Sequence, residues 1–134
     1  MSSSNQTKPD QSRAKTRSVV FALIGVAALV FKRYYAGPLE GLVLAYGGNV
    51  VVSFAVYFIV APTLFAARYR ILLNIGIALL AVELFEATNG FGVMSNVFDR
   101  GDYIANIVGV GLAVAVDLLS RRIAESREKT KTAT

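Results

Sequence analysis

The side chains able to do chemistry in this chain are few, and most are carboxylates or amides. Glu83 and Glu86 stand three residues apart in an otherwise apolar run, and Asp102 and Asn106 stand four apart near the head of another. On helices, spacings of three and four place each pair on one face. Two carboxylates held together can share one proton, which suits acid–base work or proton carriage. Arg100, beside Asp102, is the candidate to meet a phosphate. Earlier in the chain Asn49, Ser53 and Tyr57 recur at four-residue intervals, with Tyr46 one turn before them, and so form a polar face of their own.

The inventory ends there. The 134 residues contain no Cys and no His, which removes thiol chemistry, disulfides and the usual zinc, haem and iron–sulfur ligand sets. No metal or cofactor is implied. The absence of His, and of a nucleophile beside a base, argues against an enzyme. What is left is a cluster suited to binding: Glu83, Glu86, Asp102, Asn106, Arg100 and Asn49.

These residues sit in segments with the character of membrane spans. The chain is 54% hydrophobic and 17% charged, with a mean hydropathy of +0.53; an ordinary soluble domain carries about 25% charged residues. Four apolar segments are visible, at about 19–31, 38–61, 71–91 and 103–120, and residues 41–67 carry no charge at all. A helix needs about 20 residues to cross a bilayer core, so the first segment is short and crosses only if Arg17, Lys32 and Arg33 snorkel. Lys32 and Arg33 directly after that run, with no small-residue cleavage site, argue for a retained helix rather than a signal peptide.

The 14 Lys and Arg residues flank these segments. A nucleic-acid module would instead show a basic stripe on one folded face, so nucleic acid is excluded as a partner. With four spans and the N-terminus inside, 11 basic residues fall on the cytoplasmic side and 3 (Lys32, Arg33, Arg100) outside, the asymmetry that the positive-inside rule favours. The expected architecture is therefore all-α: a four-helix membrane bundle over residues 19–120, N-in and C-in. A disordered polar tail (1–18) and a basic cytoplasmic tail (121–134) flank it. Small residues at Gly37, Gly41 and Ala45, and again at Gly109 and Ala113, are expected to allow close helix packing. Asp99 or Asp102 is expected to cap the last helix. In this topology Glu83, Glu86, Asp102 and Asn106 converge on the outer half of the membrane, where intramembrane polar groups imply a site.

The residues also resemble a known family. Val82–Glu86 (V-E-L-F-E), a glycine-containing loop, and Phe98–Gly109 (F-D-R-G-D-Y-I-A-N-I-V-G) are similar to the signature of VanZ-like proteins. In that family Glu-x-x-Gln at the end of one membrane helix is followed by Arg-x-Phe-Asp-x-x-Asp-x-x-x-Asn-x-x-Gly leading into the next. Glu83, Phe98, Asp99, Asp102, Asn106 and Gly109 fall on matching positions; Glu86 replaces the family's Gln and Asn96 its Arg. The resemblance implies a small integral protein of a bacterial cytoplasmic membrane, of poorly defined activity. One family member is associated with low-level resistance to teicoplanin, which acts on lipid-linked wall precursors. The expected partners are membrane lipids, a lipid-linked envelope precursor, or another membrane protein for which this chain is an accessory subunit. A carboxylate-based membrane enzyme and a proton conductor are further alternatives.

Overall fold

The computed structural model describes residues 8–64, 67–88 and 99–134, and these are helical, with no strand among them. Helix α1 spans Lys8–Phe31 and ends in a 3-10 turn at Lys32–Tyr34. Helix α2 spans Glu40–Val60 and is continued by a 3-10 turn at Ala61–Leu64. Helices α3 (Arg70–Ala87) and α4 (Arg100–Thr132) complete the chain. Three stretches, Gln11–Tyr34, Glu40–Leu64 and Arg100–Thr132, are long and apolar enough to cross a membrane. Helix α3 is shorter, and its 18 residues include Arg70, Glu83 and Glu86.

Two helix ends differ from the sequence expectation. Helix α1 starts at Lys8, well before Val19; residues 1–7 lie outside the described chain. Gln, Arg, Ala and Lys are good helix formers, Pro9 is tolerated in a first turn, and Arg17 is anchored to Asp117 on α4 at 3.7 Å. Helix α4 runs past Ser120 to Thr132. Arg121 is tied to Asp117 one turn earlier by two 2.8 Å bonds, and Arg121, Glu125 and Lys129 follow at helical i,i+4 spacing. At about 1.5 Å per residue α4 is ~50 Å long, well beyond a bilayer core of ~30 Å.

Helix α2 is the centre of the bundle and packs on the other three, whereas α1 does not pack its backbone against α3 or α4 among the described residues. Helices α1 and α2 are antiparallel: Phe21 stacks on Phe58 at 4.9 Å between ring centres, and Lys32 reaches the Leu44 carbonyl. Helices α2 and α3 are antiparallel too, with Asn74 Nδ2 donating to the Tyr57 carbonyl at 3.2 Å. Helices α2 and α4 are parallel. Tyr46, Asn49 and Ser53 pair with Asp99, Asp102 and Asn106, a constant offset of 53 residues.

The interior is small and tightly filled. Tyr57, Phe58, Ala78, Val110 and Ala113 form its buried core, with Phe21, Phe54, Ile75 and Leu79 against them. The large aliphatic side chains point outward instead: Leu23, Leu72, Leu80 and Ile104 each expose more than three-fifths of their surface. In water this would be a costly surface; against lipid it needs no cover, and helix association rests on close packing and interhelical hydrogen bonds.

Candidate functional site

The α2–α4 interface is a ladder of hydrogen bonds in which α2 donates and α4 accepts. Tyr46 Oη donates to Asp99 Oδ2 at 2.8 Å, Asn49 Nδ2 to Asp102 Oδ1 at 2.6 Å and Ser53 Oγ to Asn106 Oδ1 at 2.7 Å. Tyr57 Oη donates to Asp117 Oδ2 at 3.0 Å, reaching farther along α4 by the length of its ring. The α2 face expected from the sequence and the α4 stripe from Asp102 to Asp117 are thus the two halves of one interface. Glycine makes it possible: a Cβ on Gly109 would collide with the Val50 carbonyl oxygen and approach Ser53 Cβ to 2.8 Å. Ala113 is fully buried on the same stripe.

The other small-residue stripe does not pack as expected. Gly37 precedes α2 and lies under the Tyr35 ring, a Cβ on Gly41 would meet no atom within 4 Å, and Ala45 is exposed on a cavity wall. The close approaches of α1 to α2 fall instead at Gly25, where a Cβ would lie 3.0 Å from Ala55 Cβ, and at Gly48, over which Lys32 Nζ lies. Small residues allow close packing only where two helix axes converge, and here they converge farther along α2.

A cavity of about 830 Å³ opens between α1 and α3 over the face of α2. Its polar end is made by Lys32, Asn49, Glu86, Asp102 and Asn106, and its apolar walls include Leu29, Leu44, Val52, Val56, Val82 and Phe85. This size is within the ~300–1,000 Å³ range of small-molecule pockets. Glu86 lies beside Asp102, with Glu83 near enough to act on it electrostatically. Glu83 itself does not line the cavity; it sits behind it, beside Asn106. Asn106 is 3% exposed, and its Nδ2, like Glu83 Oε2, is buried without a hydrogen-bond partner among the described residues.

The cation of this site is Lys32, which the sequence reading treated only as a flanking charge. Arg100 stands exposed at the first turn of α4, away from the cavity walls. Lys32 Nζ donates to the Leu44 carbonyl at 3.2 Å. What could have revealed it is its place directly after an apolar run too short to span, where a long amphipathic side chain folds back along its neighbour. Asp99 caps α4 as expected: its carboxylate accepts from Gly101 N–H at 3.1 Å. That N–H first, and the Tyr46 hydroxyl second, hold the Asp99 carboxyl below its usual range. Gly90, Asn96 and Phe98 lie outside the described residues. No cluster of three or more acidic side chains suited to a metal ion occurs among the described residues.

At the opposite end of the bundle Asp117 is 3% exposed and is held by Arg121 through two 2.8 Å bonds, by Tyr57, and by Arg17 at 3.7 Å. This is a junction of α1, α2 and α4 in which the Asp117 carboxylate is fully engaged, and it explains why an acid sits in the last apolar segment.

Comparison with protein-family models, curated proteins and solved structures returned no match. The likeness to VanZ-like proteins rests on the motif residues alone.

Proposed function

We propose that this chain is a four-span membrane protein whose lateral cavity binds an amphiphile, a lipid headgroup or a lipid-linked envelope precursor, at the end where Lys32, Glu86, Asp102 and Asn106 meet. The observation that carries the reading is the cavity's division into a polar end, with Lys32, Glu86 and Asp102, and apolar walls. A water-soluble ligand would leave the apolar walls unused, and a bare hydrocarbon would leave Lys32 and the carboxylates unsatisfied.

The four-span part of the proposal draws on helix directions. Helix α3 returns the chain from the Asn74–Tyr57 end to the Glu86–Asp102 end, and its 18 residues reach about 27 Å as a helix. Arg17, Arg70 and Arg121 belong to the Asp117 end, while Lys32 and Arg100 belong to the other. Both termini on the basic, cytoplasmic side agree with the positive-inside rule. The polar end of the cavity then lies at headgroup depth in the outer leaflet, beside the exposed Tyr34. The VanZ-like resemblance supports the same setting, a bacterial envelope protein acting near lipid-linked precursors.

The second reading, a structural or accessory subunit for another membrane protein, is favoured by one observation. The α2–α4 ladder consumes Asn49, Ser53 and one oxygen of Asp102 in helix packing. Native mass spectrometry of the full chain from lipid nanodiscs separates the two. Retained lipid that is lost in Val52→Trp, which fills the cavity while leaving its charges intact, supports the binding reading. A wild type that carries no lipid and co-purifies only with a membrane protein supports the subunit reading.

A further inference from the structure

The charges of the cavity say what kind of head it takes. Two carboxylates, Glu86 and Asp102, line the polar end and a third, Glu83, stands behind them. Among the described residues none of the three has a cation within ion-pair distance; both ion pairs belong to Asp117. The single cation of the cavity among the described residues, Lys32, is engaged with the Leu44 carbonyl and keeps further N–H groups to donate. Glu86 and Asp102 are hydrogen-bonded to each other and so share a proton; the charge that remains on the pair at membrane depth is costly and marks a place where a partner supplies the opposite one.

The donor demands the opposite. Lys32 can donate to more than one acceptor, whereas Asn106 Nδ2 is buried against Glu83 behind the cavity. One occupant meets both demands if its head carries an acidic oxygen group and an ammonium together. Resting on the amphiphile-binding reading above, we infer that the cavity selects a phospholipid-type amphiphile with a phosphate-linked primary amine. Its phosphate faces Lys32, its ammonium faces Glu86 and Asp102, and its acyl portion lies on Leu29, Val52, Val56 and Phe85. A primary amine donates hydrogen bonds to carboxylates, whereas a quaternary ammonium cannot and is usually held by a cage of aromatic rings. Phe85 is the one aromatic side chain in the cavity wall among the described residues.

The test is native mass spectrometry of the full chain in mixed micelles holding equal amounts of phosphatidylethanolamine, phosphatidylcholine and phosphatidylglycerol. The wild type is expected to retain phosphatidylethanolamine about tenfold over each of the others, the ratio of one charge-assisted hydrogen bond. Glu86→Gln should remove most of that preference, Lys32→Met should weaken retention of all three lipids, and Glu86→Lys should turn the preference toward phosphatidylglycerol. Circular dichroism of each variant establishes that it is folded. Equal retention of the three lipids, lost in Val52→Trp, keeps the cavity reading and overturns the amine inference. No retention of any lipid overturns both. Displacement of bound lipid by soluble phosphoethanolamine at equal concentration would overturn the lipid assignment, because the head alone would then be the ligand.

Discussion

Replacing Gly109 by alanine tests the packing on which the site depends. A methyl group there meets the Val50 carbonyl oxygen and Ser53 Cβ, and the first of these is backbone that cannot rotate away. Helix α2 must therefore move off α4, which stretches the Asn49–Asp102 and Ser53–Asn106 bonds on either side, now 2.6 and 2.7 Å. Overpacking costs about 1–3 kcal/mol, interhelical bonds in membranes are worth about 0.6 kcal/mol each, and the Gly-to-Ala gain in helix propensity offsets roughly 1 kcal/mol. The net expectation is a loss of about 1–3 kcal/mol. Gly111 is the control, because a Cβ there meets nothing within 4 Å; Gly111→Ala should lose nothing and gain up to about 1 kcal/mol. Denaturant titration in mixed micelles, followed by circular dichroism, gives both numbers. If the two variants are equally stable, α2 and α4 do not approach as closely as described, and the constant pairing offset between them fails with it.

Further outcomes follow from the same contacts. A double-mutant cycle on Ser53→Ala and Asn106→Leu should give a coupling of about 0.6–1.7 kcal/mol, and zero coupling would remove that rung of the ladder. Asp117→Leu should cost toward the lower end of ~3–5 kcal/mol, since it strands Arg121 and Arg17, which retain partial exposure (16% and 25% of their side chains); a neutral effect in the same titration would refute the junction. Because its partners lower the folded-state pKa of Asp99, its cap contributes above the unfolded pKa and is lost as pH falls through the folded one. Tyr46→Phe should move the Asp99 titration upward, as read by carboxyl NMR, and an unmoved titration would show that the hydroxyl does not matter. In this Cys-free chain, thiol labelling of Arg13→Cys and Glu128→Cys should occur from one side of the membrane and of Ser95→Cys from the other; labelling of all three from one side would end the four-span proposal.

How much was legible before the fold was known divides along a physical line. Spacing along one helix is local, so the polar faces of α2 and α4 could be read directly, down to Asn49, Ser53, Tyr57, Asp102, Asn106 and Asp117. The cap at Asp99 is local too. Which face meets which, and at what offset, is not written in either segment alone. The same non-local choice misled the reading of Gly37, Gly41 and Ala45, whose spacing suits helix packing although no helix among the described residues converges on them. Lys32 looked like a boundary charge because its reach back to α2 depends on where α1 ends relative to Leu44 and Gly48.

The sequence by itself determined the chemistry available to this protein: no thiol or imidazole, few charges within the apolar runs, and carboxylates and amides at helical spacing. Those limits are set by composition and period, and no packing arrangement could evade them. The tertiary structure decided which of these groups are spent on holding the helices together and which remain open. It turned Asp117 and the Ser53–Asn106 rung into structure. It left Glu86, Asp102 and Lys32 around a cavity, because α1 and α3 both pack on α2 without closing on each other.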